Sequence, residues 1–228
     1  LTEQGQRFAA MLFGDGAASS RSAERLPQDH VSLFAERLDQ VVKRRPTADV
    51  TLDQAKATRE TLAKRIAYFD RNDAVAGRRI LCLGDDDFVS VGIVAWCAWL
   101  EERGRTVRPR RLTVVDVDRR ILAELRSIAE QIEVVEYDAR DPFPDALRGG
   151  FDVVITDPPY TIHGAELFLS RAIDAVGAKS GARCLLSFGH LDPSAMRGVQ
   201  SALAEMGWIV TEWLPGFYEY EGSSVLAG

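Results

Sequence analysis

The sequence predicts an α/β protein whose core is a doubly wound, mostly parallel sheet, preceded by an N-terminal helical segment. Three observations carry this prediction. Residues 80–83 are four consecutive apolar residues that run into Gly84, as in a strand buried on both faces. A long apolar stretch over residues 88–100 follows, as in a buried crossover helix. From there, strand-like and helix-like segments alternate, which is the pattern of a parallel sheet covered by helices.

The composition is ordinary for a globular protein of 228 residues, with 46% apolar and 27% charged residues. The net charge of −6 argues against a general affinity for nucleic acid backbones. No run of residues is long and apolar enough to span a bilayer, and no signal peptide is visible, so a cytoplasmic location is expected. The cysteines, Cys82, Cys97 and Cys184, lie in apolar runs without metal-ligand spacing, which predicts buried free thiols and no metal site.

The chain is expected to divide into an N-terminal helical segment, residues 1–50, and a sheet domain, residues 51–228. Apolar residues at helical spacing, among them Phe8 and Leu12, predict a helix near the start. The Leu-Thr-Glu-x-Gly opening resembles the segment that follows the wing of winged-helix domains, so the first segment is interpreted as the remnant of such a module. An ordinary amphipathic helix is the alternative. A low-complexity linker over residues 14–28 follows.

Two further helices are predicted before the first strand. Residues 30–45 have an amphipathic pattern that ends at Pro46, and Thr58 is the expected N-cap of a helix over residues 59–73. The last two predicted strands are expected to form an antiparallel hairpin. The strands predicted after residue 83 are residues 112–118, 133–138, 151–160, 182–189, 208–214 and 223–228, and the helices between them are residues 119–131, 164–176 and 193–206.

Acidic residues follow each of the first four predicted strands. In an open α/β sheet, ligands bind outside the carboxyl ends of the strands at the switch in strand order, so these acids should surround one crevice. An acid after the second strand suits the two hydroxyls of a ribose, with Asp116 the first candidate and Asp118 the second; a helix cap is the alternative. Asp138 is suited to an adenine amino group, with a turn-forming role as the alternative.

The turn after the first strand carries three consecutive aspartates, Asp85 to Asp87. A dinucleotide-binding turn is rich in glycine so that phosphates can approach the backbone, whereas three negative charges repel a phosphate. The turn therefore predicts a cationic ligand.

The turn after the fourth strand reads Asp157-Pro158-Pro159-Tyr160. The prolines stiffen the loop and remove two backbone donors, which leaves the aspartate and nearby carbonyls as acceptors for an amine. A carboxylate here can take the proton of an amine nucleophile, and the tyrosine ring can stabilise a cation or stack on a base. A strand-ending aspartate before a Pro-Pro turn is the alternative.

Together these residues resemble S-adenosylmethionine-dependent methyltransferases, which have a Rossmann-type sheet. Within that fold they look most like the branched-chain polyamine synthases, the N4-bis(aminopropyl)spermidine synthase family. That family carries a GDDD first motif and a DPP motif, here Gly84-Asp85-Asp86-Asp87 and Asp157-Pro158-Pro159. Asp53-Gln54 and residues 58–61 also resemble the family's approach to the first strand. The resemblance covers residues 53–189.

The resemblance implies transfer of an aminopropyl group from decarboxylated S-adenosylmethionine to an amine of spermidine. The charges of the two possible donors agree with this implication. S-adenosylmethionine would bring a carboxylate to the acidic turn, and decarboxylated S-adenosylmethionine would not. A pair of like charges near 4 Å costs roughly 4 kcal/mol at a surface-like dielectric. The residue Tyr160 is typical of amine N-methyltransferases, so methylation of a small amine or nucleobase by S-adenosylmethionine is the alternative. A regulator that senses a nucleoside or polyamine is a third reading.

By the same resemblance, the donor would be held by Gly84, Asp85 and Asp86, with Asp87 the next candidate, and one of the three aspartates would take the proton. Asp157 would position the acceptor amine. The residues implied to line the acceptor channel are Pro158, Pro159, Tyr160 and His163, with Glu219 and Glu221 for a distal ammonium or, alternatively, as a solvated acidic loop. The expected partners are a polyamine or another amine, with no membrane and no nucleic acid; a homodimer is one candidate assembly.

Overall fold

The structure, a computed structural model, describes residues 28–189 and 192–221. These residues contain a parallel sheet of five strands in the order β3-β2-β1-β4-β5, as the alternating pattern predicts. The order reverses between β1 and β4, which is the switch point where α/β sheets bind ligands. The strands are β1 Arg79–Leu83, β2 Arg111–Asp116, β3 Glu133–Glu136, β4 Val153–Thr156 and β5 Arg183–Leu186.

Helices cover both faces of the sheet, so the fold is doubly wound. Alternate residues of β1 enter different cores: Ile80 packs with the helices of one face, and Leu81 with the opposite face. The helices are α1 Gln28–Arg37, α2 Asp39–Lys43, α3 Arg59–Arg71, α4 Val89–Glu101, α5 Arg119–Ile128, α6 Ile162–Val176 and α7 Pro193–Glu205, with a short 3-10 helix at Val50–Leu52. None of the helices in the described ranges is long and apolar enough to cross a membrane.

The helix predicted over residues 30–45 is interrupted, with α1 ending at Arg37 and α2 beginning at Asp39. Both pieces lie against the core of the sheet domain. Phe34 and Leu38 are fully buried, and the Phe34 ring packs edge-on against Trp96, with ring centroids 4.7 Å apart. The predicted helix near Phe8, the winged-helix interpretation and the linker all lie outside the described residues.

Several predicted strands are shorter in the structure, for local chemical reasons. β4 ends at Thr156 because the two prolines that follow Asp157 have no N–H to donate to a ladder. β2 ends at Asp116 because Asp118 caps α5, accepting from the Arg120 N–H. β3 ends at Glu136, since Asp138 forms a turn by accepting from the Arg140 N–H.

The strand predicted over residues 208–214 is not formed with the described strands. This segment is extended, but it pairs with none of the described strands, and a segment needs a ladder partner to become a strand. Its apolar side chains are largely exposed, and 53% of Trp213 is open to solvent. The hairpin partner predicted over residues 223–228 lies outside the described residues.

The predicted N-cap of the helix before β1 is confirmed. Thr58 has an extended backbone, and its side chain accepts from the Thr61 N–H at 3.2 Å. The register then aligns the ends of three strands, because Leu83 lies opposite Val115 of β2 and Thr156 of β4. The residues that follow these three positions emerge together at one edge of the sheet.

We expect Phe34→Ala to destabilise the protein by about 3–4 kcal/mol, because it removes a buried ring from the cluster around Trp96. Leu33→Ala is the matched control on the same helix, since 51% of Leu33 is exposed, and it should change stability by less than about 0.5 kcal/mol. Urea unfolding of the three proteins measures the difference. Equal stabilities would show that α1 does not belong to the folding core.

Candidate active site

The turn between β1 and α4 brings three adjacent carboxylates to the switch point. Gly84 has a φ of +75°, a left-handed conformation that glycine adopts without strain, and its N–H donates to the Val115 carbonyl at 2.9 Å. Phe88, just before α4, also has a positive φ of 56°. These two reversals fold the turn tightly, and the side chains of the three aspartates between them have three different environments.

Asp85 points into the protein and builds the turn. Its carboxylate is buried and accepts from the N–H of Ser90 at 3.3 Å and from the Ser90 hydroxyl. Burial raises the pKa of Asp85 to about 7, and the bonds from Ser90 partly oppose that rise. The Asp85 N–H in turn donates to Asp116 Oδ2 at 2.9 Å.

Asp116 ties the ends of β1 and β2 together. It is buried, and its second oxygen, Oδ1, accepts from the Asp118 N–H at 2.8 Å. Burial raises the pKa of Asp116, although its backbone hydrogen bonds oppose the rise. The residue lies at the carboxyl end of β2, beside the turn that follows β1, and contact with a ribose stays a prediction.

Asp87 is bound on both oxygens by residues distant in the chain. Its Oδ1 accepts from the Ala57 N–H at 2.6 Å and from Arg45 at 3.2 Å. Its Oδ2 accepts from Arg65 at 3.0 Å and from the Tyr218 hydroxyl. Both guanidinium side chains are at least 97% buried, so Asp87 is the centre of a buried ion-pair network.

The network around Asp87 contains functional residues that the sequence analysis missed. Arg65 lies on α3 among the buried residues of that helix. Its guanidinium also lies over the Tyr218 ring, 5.0 Å from the ring centroid. The sequence did offer a signal for Arg65, namely an arginine on the apolar face of a predicted helix, because a cation that is buried there needs an anion. Arg45 gave no such signal, since it ends a charged run, Lys43 to Arg45.

Asp86 is the aspartate that faces the crevice. Within the described part of the chain, its carboxylate has no hydrogen-bonding or ion-pair partner, and it lines a cleft together with Asp157. Burial raises the pKa of Asp86 well above its usual value, and the nearby charges of Asp87 and Asp157 add to the rise. The remaining residues that line the cleft are Asp53, Ala55, Pro158 and Tyr160.

Asp157 lies opposite Asp86 and is held by two tyrosines. The hydroxyl of Tyr160 donates to Oδ1 at 3.0 Å, and that of Tyr220 donates to Oδ2 at 3.4 Å. Burial raises the pKa of Asp157 to about 7, against the opposing influence of the Arg65 guanidinium.

Aromatic rings form one side of the cleft. The Tyr160 ring lies 5.4 Å from that of Phe188 and 6.0 Å from that of Tyr220. Gly189 makes room for it, because a Cβ there would lie 2.5 Å from the Tyr160 ring. Pro159 packs similarly against Gly164, where a Cβ would lie 2.6 Å from the Pro159 carbonyl oxygen.

A C-terminal strap, residues 217–221, brings Tyr218 and Tyr220 to the site. It pairs with the segment before α3: the Thr58 N–H donates to the Glu219 carbonyl at 2.9 Å, and the Glu221 N–H donates to the Lys56 carbonyl at 2.8 Å. The Glu219 side chain is exposed, and the Glu221 carboxylate pairs with Arg45 at 2.5 Å. A contact of either side chain with a distal ammonium stays a prediction.

Three other predicted residues lie apart from the cleft, with their side chains engaged by neighbours. Asp118 accepts from Arg120 and from Gln54, and these bonds lower its pKa in spite of partial burial. Asp138 forms an ion pair with Arg140, whose hydrogen bonds lower the pKa of that carboxyl. The side chain of His163 is 96% exposed and contacts Glu166 at 3.2 Å. Their roles toward a ligand remain predictions.

The cleft thus combines an aromatic face with two carboxylates, Asp86 and Asp157, that form no ion pair with the residues the structure describes. Burial destabilises the charged state of both Asp86 and Asp157, and nearby carboxylates add to this effect: Asp87 and Asp157 act on Asp86, and Asp87 acts on Asp157. A cation between them would relieve both penalties, and aromatic faces attract cations as well. In the ranges that the structure describes, no group of histidine, cysteine or acidic side chains has the arrangement of a metal site.

Comparison with known proteins gives one consistent family. The sequence model described as the branched-chain polyamine synthase A C-terminal domain matches residues 34–227. An uncharacterised protein of Methanocaldococcus jannaschii is 38% identical over 189 residues, 81% of this chain and 45% of that protein. The N(4)-bis(aminopropyl)spermidine synthase of the same organism is 32% identical over 186 residues, 77% of this chain and 50% of that enzyme.

Solved structures agree in fold. The branched-chain polyamine synthase from Thermus thermophilus, in complex with N4-aminopropylspermidine and 5′-methylthioadenosine, has a TM-score of 0.73 at 28% identity, over 90% of this chain and 59% of that one. A candidate RNA methyltransferase from Pyrococcus horikoshii has a TM-score of 0.59 at 17% identity, over 81% of this chain and 85% of that one, which indicates the methyltransferase-like fold alone. The chain spans about half the length of the curated relatives described here.

We expect the adjacent substitutions Asp86→Asn and Asp87→Asn to change stability in opposite directions. Asp87→Asn should cost about 3–5 kcal/mol, because it removes the anion bound by two buried guanidinium groups and leaves Arg65 without an ion-pair partner among the described residues. Asp86→Asn should stabilise the protein by about 1 kcal/mol, because it removes a carboxylate whose charge is unfavourable in the folded protein.

The gain from Asp86→Asn should grow as the pH rises. The pKa of Asp86 is raised in the folded protein, so folding is favoured when Asp86 is protonated. This contribution to stability is lost as the pH increases and the carboxyl ionises. Urea unfolding between about pH 5 and about pH 8 measures both variants. Equal destabilisation by the two substitutions would contradict the assignment of Asp86 to the cleft.

Proposed function

This chain belongs to the branched-chain polyamine synthase family, and we propose that it transfers an aminopropyl group from decarboxylated S-adenosylmethionine to an amine of spermidine or a related polyamine, with release of methylthioadenosine. The single observation that carries the proposal is the Asp86 carboxylate, which lines the cleft together with Asp157 and forms no ion pair with a described residue. Both substrates of the proposed reaction are cations that this cleft would attract.

Charge provides the selection between donors. The decarboxylated donor presents a sulfonium and an ammonium, whereas ordinary S-adenosylmethionine adds a carboxylate. Near Asp86 and Asp157, an unlike pair at 4 Å is favoured by roughly 4 kcal/mol at an effective dielectric of about 20, and a like pair is opposed by as much. Solvent at the mouth of the cleft reduces both values, but their difference still favours the donor without the carboxylate.

The reaction needs a neutral amine and an acceptor for its proton. The amine nitrogen attacks the aminopropyl carbon next to the sulfonium, the C–S bond breaks, and its electron pair leaves the sulfur as a neutral thioether. The proton on the new C–N nitrogen passes to a carboxylate. A pKa of about 7 suits Asp157 to this role, because it can take a proton near neutral pH and release it again.

The remaining acids have supporting roles in this scheme. Asp87 fixes the turn through the two arginines, so that Asp86 is directed at the donor's sulfonium or ammonium. Asp85 holds the start of α4 through Ser90, and Asp116, which accepts from the Asp85 N–H, is the proposed partner of the ribose. Tyr160 positions Asp157 through its hydroxyl and offers its ring to the cation.

The alternative is an N-methyltransferase that uses ordinary S-adenosylmethionine. One observation favours it: the motif Asp157-Pro158-Pro159-Tyr160 is the form typical of enzymes that methylate amino groups. Both reactions need an amine held beside Asp157, so the acceptor half of the cleft does not separate them. The identity of the donor separates the two reactions, because only S-adenosylmethionine brings a carboxylate to the acidic turn.

The test is to incubate the protein with spermidine and either donor, and to resolve the products by mass. We expect spermidine to gain the mass of aminopropyl units, and only with the decarboxylated donor. Asp86→Asn should lower the transfer rate by about a hundredfold or more. Asp145→Asn is the matched control, since that side chain is 97% exposed, and it should leave the rate unchanged. Methylated spermidine from ordinary S-adenosylmethionine would overturn the proposal in favour of the alternative.

A further inference from the structure

An arginine-rich loop joins α4 to β2 at the amino ends of the strands, the edge of the sheet opposite to the cleft. Residues 103–111 contain five arginines. The Gly77 N–H donates to the Arg108 carbonyl at 2.8 Å, and the Arg110 N–H donates to the Arg78 carbonyl at 2.8 Å. These bonds tie the loop to the start of β1, so its cations lie beside those that begin the strand.

Cations also begin three of four neighbouring strands. In the parallel register, Arg79 of β1 lies opposite Arg111 of β2. On the other side of β1, the Asp152 N–H donates to the Arg79 carbonyl at 2.8 Å, and the Arg183 N–H donates to the Asp152 carbonyl at 3.1 Å. Neighbouring strands are about 4.8 Å apart, so this row is about 14 Å long. We call this surface the basic edge, and its cations are Arg78, Arg79, Arg108, Arg110, Arg111, Lys179 and Arg183.

Carboxylates neutralise only part of the basic edge. The ion pairs are those of Asp152 with Arg79 and Lys179, of Glu101 with Arg108, and of Glu133 with Arg111. Arg78, Arg110 and Arg183 form no ion pair with a residue of the described ranges, and the side chains of Arg78 and Arg183 donate to backbone carbonyls. The net charge of −6 is an average that hides this separation, because acidic side chains gather at the cleft and unpaired arginines at the opposite edge.

We propose that the basic edge binds the sugar-phosphate backbone of a nucleic acid without reading its base sequence. A duplex carries one negative charge per about 1.7 Å of its axis, so it offers about eight charges along a row of this length. All the cations of the edge except Lys179 are arginines, whose planar guanidinium binds two phosphate oxygens at once. The surface lies away from the cleft, so the inference does not depend on the proposed function.

A lipid surface and an acidic protein are the competing partners, because cations attract them too. Both also take up apolar side chains, at the centre of a protein interface or in the lipid headgroup region. None of the large apolar side chains exposed in the described ranges belongs to the basic edge; they are Leu33, Val50, Leu52, Val117, Ile209, Val210, Trp213 and Leu214. A surface of arginines without apolar side chains fits a phosphate backbone better than either competitor.

The test is fluorescence anisotropy of a short labelled duplex of mixed sequence, as DNA and as RNA, at several salt concentrations and without polyamine. Substituting Arg78, Arg110 and Arg183 together by glutamine should weaken binding at low salt at least about tenfold. The slope of log K against log salt concentration should fall by about 2 to 3, since each lost phosphate contact removes about 0.9.

The matched control makes the same change of charge on another surface. It substitutes glutamine for Arg44, Arg119 and Arg126, which are exposed arginines on α5 or in contact with it. This control should bind the duplex within about twofold of the wild type, because distant exposed charges are largely screened. Both triple variants should retain the transfer activity of the wild type, since neither alters the cleft.

Three results would overturn the inference: no binding of the duplex by the wild type at low salt, equal weakening by the two triple variants, or tighter binding to anionic phospholipid vesicles or polyglutamate than to the duplex. If the triple variant of the basic edge fails to fold, Arg110→Gln decides. The Arg110 side chain forms no hydrogen bond or ion pair within the described ranges, so its loss should not disturb the fold. It should lower the salt slope by about 1, and an unchanged slope would contradict the proposal.

Discussion

The ion-pair network around Asp87 is the interaction on which the rest of the site depends. Two buried guanidinium groups, a backbone amide and a tyrosine hydroxyl all bind this one carboxylate. Buried ion pairs of this kind contribute little net stability, because desolvation offsets much of the attraction, but removing one member is costly. Their value here is geometric: the network joins α3, the loop before it, the acidic turn and the C-terminal strap at one point.

The same network determines what the neighbouring carboxylate can do. Arg45 and Arg65 are the cations buried at the turn, and both are directed at Asp87. Asp86 therefore lies beside Asp157 without an ion-pair partner among the described residues, and burial raises the pKa of both carboxyls although Arg65 opposes the rise at Asp157. The ligand-free cleft is held in an electrostatically unfavourable state, which a cationic substrate relieves. Binding selectivity and the capacity to take a proton then have the same physical origin.

Sequence reasoning predicted the features that depend on local pattern. The parallel sheet, the Thr58 cap and the position of both acidic turns at the switch point follow from periodicity, capping chemistry and strand order. The segment over residues 208–214 pairs with none of the described strands, because apolar alternation alone does not supply a ladder partner. The choice among the three aspartates was not predictable, since it depends on Arg65, 22 residues from Asp87, on Arg45, 42 residues away, and on Tyr218, 131 residues away. The hydrogen bond that Asp53 accepts from the Tyr160 N–H was equally unpredictable, because the two residues are 107 positions apart in the sequence.

Proton release on polyamine binding tests the central claim most directly. A bound ammonium favours the ionised carboxylates, so it must lower the pKa of Asp157 from about 7 and expel protons near neutral pH. Calorimetry of spermidine binding in buffers of different ionisation enthalpy counts those protons. The account predicts net release near pH 7, little release near pH 9, and reduced release in Asp157→Asn. Binding without proton release near pH 7, or release unaffected by that substitution, would contradict the claim that cations bind at these carboxylates.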